Sequence, residues 1–399
     1  IRVDLLGWLI FLFALLFSVM AHEAGHFATA KRFGMKATMF FVGFGPTLWS
    51  VRRGETEYGI KALPLGGFVK IIGMTSVEVV DPADEPRAFR RFPGWQRVIV
   101  LVAGSTVHFI LAFLLIFGLA LGVGIADNNS TQLGTISACV PASASALTSG
   151  AACPAGAAKS PAELAGLRVG DEVTSFDGTR VANYTQLTTA IKRVKAGTTV
   201  PVTVLRDGKS LTVHAKLAAV SGRSGGFLGI AGSTIFQPAS PVRAVTYAGS
   251  GFWEVLSGSV TALGQLPAAL PDLFAKDRSS TPAGNVSSIV GAANATGQAV
   301  ASPLGWQDKV SFVLLLIASL NVFVGAFNLL PLLPLDGGHI AIVVYERIRA
   351  RVARWRRRPD PGLVDYMKLV PVSFSIFMVL VVVGVMLILA DIVNPVSIG

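Results

Sequence analysis

His22-Glu23-Ala24-Gly25-His26 is the group of side chains best equipped for chemistry. Histidines at i and i+4 share one face of a helix, so both imidazoles reach one ion while Glu23 faces a water on it. This is the HExxH arrangement of metal-assisted hydrolysis, with the glutamate as general base. The plain alternative is two unrelated histidines and a surface glutamate on an ordinary helix. It fails on location, because the motif lies inside an apolar run, where ionisable groups are costly unless paired, lining a cavity or in use. A catalytic zinc takes three protein ligands and keeps one position for water. The third ligand must then be another His, Asp or Glu within a span, and Asp336 in Leu335-Asp336-Gly337-Gly338-His339 is the best candidate. Gly337 and Gly338 permit the backbone to unwind there and approach the ion. His339 is either a further ligand or a capping or hydrogen-bonding residue, and the second reading is favoured. His108, inside another apolar run, either lines the cavity or bonds a neighbouring helix, while His214 reads as ordinary surface.

The elements that must position these residues follow from composition. Of 399 residues 52% are hydrophobic and only 14% charged, with mean hydropathy +0.61, which excludes a fully soluble protein. Four runs reach the roughly 20 residues that span a bilayer, at about 5–30, 98–125, 310–335 and 369–392. The first apolar run is too long for a cleaved signal peptide. The net charge of +11 is unevenly placed: residues 31–97 carry eleven Lys/Arg and residues 346–368 carry eight. Residues 126–309 hold fourteen against ten acids. Positive-inside bias puts the two short basic segments in the cytoplasm and both termini and the long segment outside. The basic charge is thus topological, and no nucleic-acid partner is expected. The first and third spans then run in one direction, which brings His22 and Asp336 to similar depth.

Between the second and third spans, residues 132–220 read as a small β-rich domain with two helices. Ser160-Pro161 starts a helix, and Asp177-Gly178 and Asp207-Gly208 are hairpin turns. The run Pro161-Ala-Glu-Leu-Ala-Gly-Leu-Arg-Val-Gly-Asp171 resembles a PDZ domain. Residues 221–309, rich in Gly, Ser, Ala and Pro, read as interfacial helices and linkers. Cys139 and Cys153 fall in this external segment, where oxidation is allowed, and they read either as a disulfide closing this loop or as two free buried thiols.

These motifs together carry a resemblance. His22-Glu-Ala-Gly-His26, Phe41-Val-Gly-Phe-Gly-Pro-Thr-Leu-Trp49, Pro64-Leu-Gly-Gly-Phe-Val-Lys-Ile-Ile-Gly-Met74, one PDZ-like domain and Asn328-Leu-Leu-Pro-Leu-Leu-Pro-Leu-Asp336-Gly-Gly cover nearly the whole chain. The sequence resembles the site-2 protease family of intramembrane zinc metalloproteases, particularly the actinobacterial members of regulated intramembrane proteolysis. The resemblance implies one catalytic zinc ion on His22, His26 and Asp336, with Glu23 taking the proton of the attacking water and returning it to the leaving amine. It implies single-span membrane substrates such as anti-sigma factors, cut in a bacterial cytoplasmic membrane; the PDZ-like domain either gates access by size or binds exposed peptide ends as a peptide ligand. It also implies a membrane-associated β-hairpin near residues 57–73 that offers a sheet edge to an unwound substrate, where a plain cytoplasmic hairpin is the alternative. Asn328 takes a substrate-binding role by the same likeness, and Asn321 shares that role with an equal reading as interhelical polar glue. In one departure, relatives usually carry Gly-Pro and a later Asn early in the second span, where this chain has Gly104-Ser105 and His108.

The expected fold is a polytopic α-helical membrane protein: spans at 1–30, 98–125, 310–345 (with Leu-Asp-Gly-Gly) and 369–392, a β region at 31–97, and the extracytoplasmic PDZ-like α+β domain. Two rivals compete with the protease. A membrane-anchored PDZ scaffold or chaperone with a non-catalytic metal site is opposed by the intact set of four residues. A metal transporter is opposed by the scarcity of further acids and histidines in the spans.

Overall fold

The structure is a computed structural model that describes residues 5–75, 77–141, 153, 156–222, 224–275, 287–302 and 304–394. In chain order the elements are helix α1 (Leu5–Phe33), strands β1 (Ala37–Arg53) and β2 (Thr56–Ile71), helix α2 (Gly94–Gly122), strands β3 (Ile125–Asp127) and β4 (Leu133–Ile136), and helix α3 (Pro161–Leu164). Strands β5 (Glu172–Phe176) and β6 (Thr179–Arg180), helix α4 (Tyr184–Arg193), and strands β7 (Thr199–Arg206), β8 (Lys209–Lys216), β9 (Ile230–Gly232) and β10 (Ile235–Gln237) follow. The remainder is helical: α5 (Pro241–Ala269), α6 (Ile289–Ala301), α7 (Trp306–Asn328), α8 (Asp336–Trp355) and α9 (Val370–Val393). The chain divides into two compact units, one of residues 124–239 and one of the segments on either side.

Among the described residues, α1, α2, α7 and α9 are long and apolar enough to cross a membrane, so the chain is a multi-pass membrane protein. At 1.5 Å per residue, the 29 residues of α1 reach about 43 Å, more than the roughly 30 Å of a hydrocarbon core. Gly34 ends α1 with φ +88°, and the Met35 N–H turns back to Ala30 O at 2.9 Å, which satisfies a last-turn carbonyl. The α1–α2 pair is close because it is built on small residues. A Cβ on Gly25 would stand 2.8 Å from Ala103 O.

The β1–β2 hairpin curls on itself. Phe40 is paired with Tyr58 on one side and Val69 on the other, leaving residues 67–70 as an edge beside α1. Ala30, Met35, Ala37, Ile71, Phe89, Val100, Leu101 and Val343 form one buried cluster that ties α1, the hairpin, α2 and α8 together.

Two expectations require correction. The third apolar run was expected as one span over 310–345. The helix instead stops at Asn328 and restarts at Asp336, because Pro331 and Pro334 lack the N–H that a continuous helix needs. Gly337 and Gly338 therefore do not unwind the chain. Both lie in the first turn of α8, where a Cβ on either would collide with the backbone of the returning loop at residues 329–333. The helices expected in 221–309 are present, but they are more than interfacial. The 29-residue α5 packs Ala248 into a buried cluster with Ala112, Ile116, Ala318 and Val322 of α2 and α7.

The second unit is wider than residues 132–220. Strands β9 and β10, at its end, pair with β4 and β3, at its start, so the compact region covers 124–239. Its main sheet has the order β6-β5-β7-β8 over a core that includes Val173, Phe176, Leu187, Val202 and Leu217. Asp177 and Gly178 have φ 49° and 74°, and Asp207 and Gly208 have 50° and 75°, the positive pair that a type I′ hairpin turn demands. Ser160 Oγ caps α3 by accepting from Glu163 N at 3.2 Å, and Asn183 caps α4 through Gln186 N at 2.9 Å. Cys139 and Cys153 are joined by a disulfide. A cleft of about 300 Å³ runs between α4 and residues 227–230, lined by Tyr184, Thr188, Ile191, Phe227 and Ile230.

Candidate metal centre

His22 and His26 are each 7% exposed on the inner face of α1, one turn apart. Their Nε2 atoms lie 3.0 Å from each other, and each lies 3.3 Å from Asp336 Oδ2. Asp336 comes to them from the first turn of α8, where the aligned peptide dipoles favour a carboxylate.

The backbone of α2 fixes the histidine tautomer. His26 Nδ1 donates to Val100 O at 2.7 Å, so its Nε2 carries a lone pair. That lone pair faces another imidazole nitrogen and a carboxylate oxygen, three atoms that either a proton on His22 Nε2 or a metal cation between them holds together. A tetrahedral zinc with ligands at about 2.0–2.1 Å has donor–donor edges of about 3.3–3.4 Å, close to the separations here. The three residues are the candidate metal ligands among the described residues, and their atoms fit zinc.

Glu23, one residue after His22, is held by the hairpin. Its Oε2 accepts from the Val69 N–H at 3.0 Å, an edge amide of β2. The sheet edge and the general-base candidate are therefore in direct contact.

The other polar residues are placed as follows. His108 Nδ1 donates to Asn321 Oδ1 at 2.8 Å, and the Asn321 amide donates to Ser18 Oγ at 3.1 Å and Ile317 O at 2.9 Å. Asn321, 1% exposed, thus ties α1, α2 and α7 together. The His108 ring lies 5.0 Å from that of His22 without joining the three donor atoms. His339 turns to Tyr366 Oη at 3.1 Å. Asn328, half-buried, closes α7, and its side chain makes no hydrogen bond among the described residues.

Sequence reasoning did not single out Gly104 for the metal site. A Cβ there would stand 2.5 Å from His22 Cε1, 2.5 Å from His26 Nε2 and 2.7 Å from His22 Nδ1. Its bare backbone is the wall against which both imidazoles rest. The only signal was that it opens the run where the chain departs from the family it resembles, and a run of small residues in an apolar span does not say what packs on it.

Comparison with known proteins fits this geometry. The profile of Peptidase family M50 matches residues 10–358. The chain is 36% identical to the zinc metalloprotease Rip1 of Mycobacterium tuberculosis, over 98% of each protein. It is 35% identical to the zinc metalloprotease Rip1 of Mycolicibacterium smegmatis, again over 98% of each. The zinc metalloprotease RasP of Shouchella clausii is 26% identical over 93% of this chain and 96% of its own length. With a profile match over most of its length and full-length relatives of this kind, the chain belongs to Peptidase family M50.

Proposed function

We propose that the chain is an intramembrane zinc endopeptidase of the site-2 type that cuts single-span membrane proteins, anti-sigma factors among them. The observation that carries this reading is the convergence of His22 Nε2, His26 Nε2 and Asp336 Oδ2, with Glu23 in the same helical turn as the two histidines. Zinc held there supplies Lewis acidity and brings water toward neutral pKa. Glu23 takes the proton of the attacking water on its carboxylate and returns it to the leaving amine. The Val69 N–H holds that carboxylate at the edge of β2.

A substrate helix hides its carbonyls in its own hydrogen bonds, so it must be extended before cleavage. In this reading it is extended by adding as a strand to the β2 edge. The exposed Phe44, Leu48, Trp49 and Leu63 on the same hairpin support contact with the membrane. Asn328, whose amide has no hydrogen bond among the described residues, bonds the unwound substrate backbone, whereas the three hydrogen bonds of Asn321 support a role in helix packing.

The second unit is read as a PDZ domain whose cleft between α4 and residues 227–230 takes an extended peptide end. Its four-stranded sheet with two capped helices supports this. The Lys/Arg asymmetry supports an orientation with this unit and both termini outside a bacterial cytoplasmic membrane. The test is incubation of reconstituted protein with candidate single-span substrates, with and without a zinc chelator. Cleavage that stops on chelation and returns with zinc is expected; cleavage indifferent to the chelator would refute the mechanism.

A further inference from the structure

Away from the metal centre, a cavity of about 720 Å³ opens where the start of α2 meets α8. Its walls are of two kinds, apolar (Trp95, Ile99 and Ile348) and cationic (Arg347, Arg351 and Arg354). The arginines recur at i, i+4 and i+7, on one face of α8. None of the three has a carboxylate partner among the described residues. Their neighbours are committed elsewhere: Arg97 to Glu346 at 2.9 Å, and Arg349 to the carbonyls of Pro361 and Gly362. Charge is thus left over beside the apolar wall of this cavity.

The place is a membrane boundary. Gly94 and Trp95 begin a helix long and apolar enough to span, and Trp95, 58% exposed, suits the headgroup level. The amphipathic α8 keeps Val344, Ile348 and Val352 exposed beside the arginines, as a helix lying in the interface does. Among the described residues no side chain caps the N-terminus of α2, which adds positive potential at the same spot.

We propose that this cavity is a binding site for an anionic phospholipid, with the phosphate on Arg347, Arg351 and Arg354 and the upper acyl chain against Trp95, Ile99 and Ile348. A free anion satisfies only the arginines, and a zwitterionic lipid brings its own cation to them; an anionic lipid satisfies both kinds of wall. The site stands independently of the protease reading.

The test is native mass spectrometry of the full-length protein, released from nanodiscs of equal phosphatidylglycerol and phosphatidylcholine. Preferential retention of phosphatidylglycerol, by at least about tenfold, is expected. Arg347→Gln/Arg351→Gln/Arg354→Gln should reduce retention to the phosphatidylcholine level, while the corresponding triple lysine variant keeps most of it. Arg356→Gln/Arg357→Gln/Arg358→Gln should match the wild type. The glutamine variants are compared only after thermal unfolding in pure phosphatidylcholine shows them folded; if the first is not, the lysine variant and a Trp95→Ala/Ile348→Ala pair decide, the latter losing retention. Equal retention of both lipids, or full retention by the arginine-free variant, would overturn the proposal. So would displacement by millimolar glycerol 3-phosphate, which would reduce the site to a phosphate site.

Discussion

Replacing Gly104 by alanine separates the metal site from ordinary helix energetics. In an isolated helix the change stabilises by about 1 kcal/mol, because alanine loses less backbone freedom than glycine. Here the new methyl would stand 2.5 Å from both His22 Cε1 and His26 Nε2. Carbon contacts are comfortable at about 3.5 Å, so each ring must retreat by roughly 1 Å or the helices must part. Metal–ligand distances tolerate about 0.2 Å, so a shift of that size breaks the site. We expect zinc affinity to fall at least about tenfold to hundredfold, or about 1.4–2.7 kcal/mol. Cleavage at saturating zinc should fall by about a hundredfold through misplacement of the reacting groups. The assay is competition for zinc against a calibrated chelator, with thermal unfolding of the apo protein in parallel. Wild-type zinc affinity together with a raised Tm would refute the reasoning, since it would mean that the imidazoles do not rest on Gly104.

Other perturbations probe the supports of the site. Asn321→Ala strips His108 and Ser18 of a partner in the membrane interior and should cost about 1–3 kcal/mol, read as a lower Tm in detergent. Asn328→Ala should leave Tm unchanged and slow cleavage; the reverse pattern would exchange the two roles. Glu55, in the hairpin turn, accepts from Arg87 at 2.6 and 3.0 Å, and that guanidinium, with Lys31 at 3.1 Å, holds its carboxyl down to about 2 against an ordinary 4.5. Its folded pKa is the lower one, so its stabilisation is full above about pH 4.5 and is lost as pH falls toward 2. The Tm gap between wild type and Glu55→Gln should therefore close over that window, and a gap independent of pH would contradict it. Cys139→Ser/Cys153→Ser opens a loop closed across a 14-residue separation and should destabilise the second unit by about 3 kcal/mol in a denaturant titration. Native protein should titrate with no free thiols.

Much of the site was legible because its chemistry is local or repeated. The i, i+4 histidines need only a helix, and three of the four spans are fixed by length and hydropathy to within a few residues, the third ending early at Asn328. The Asp-Gly turns at 177–178 and 207–208 announce their positive φ values through residue type alone. What could not be read depends on contacts far apart in the chain. The pairing of β4 with β9 joins residues nearly a hundred apart, so nothing local marked residues 221–239 as part of the second unit. Gly104 matters only because α1 lies against it. The break between α7 and α8 was written in Pro331 and Pro334, but the apolar run through them concealed it. Gly337 and Gly338 were assigned the right importance for the wrong reason, since close approach of the preceding loop requires them.

Zinc content and cleavage measured together on Glu23→Gln test most directly whether two histidines and an aspartate hold the metal while the glutamate moves the proton. The substitution removes the base and leaves His22, His26 and Asp336 in place. One zinc per chain with cleavage of a single-span substrate abolished is the predicted result. Cleavage at the wild-type rate would contradict it.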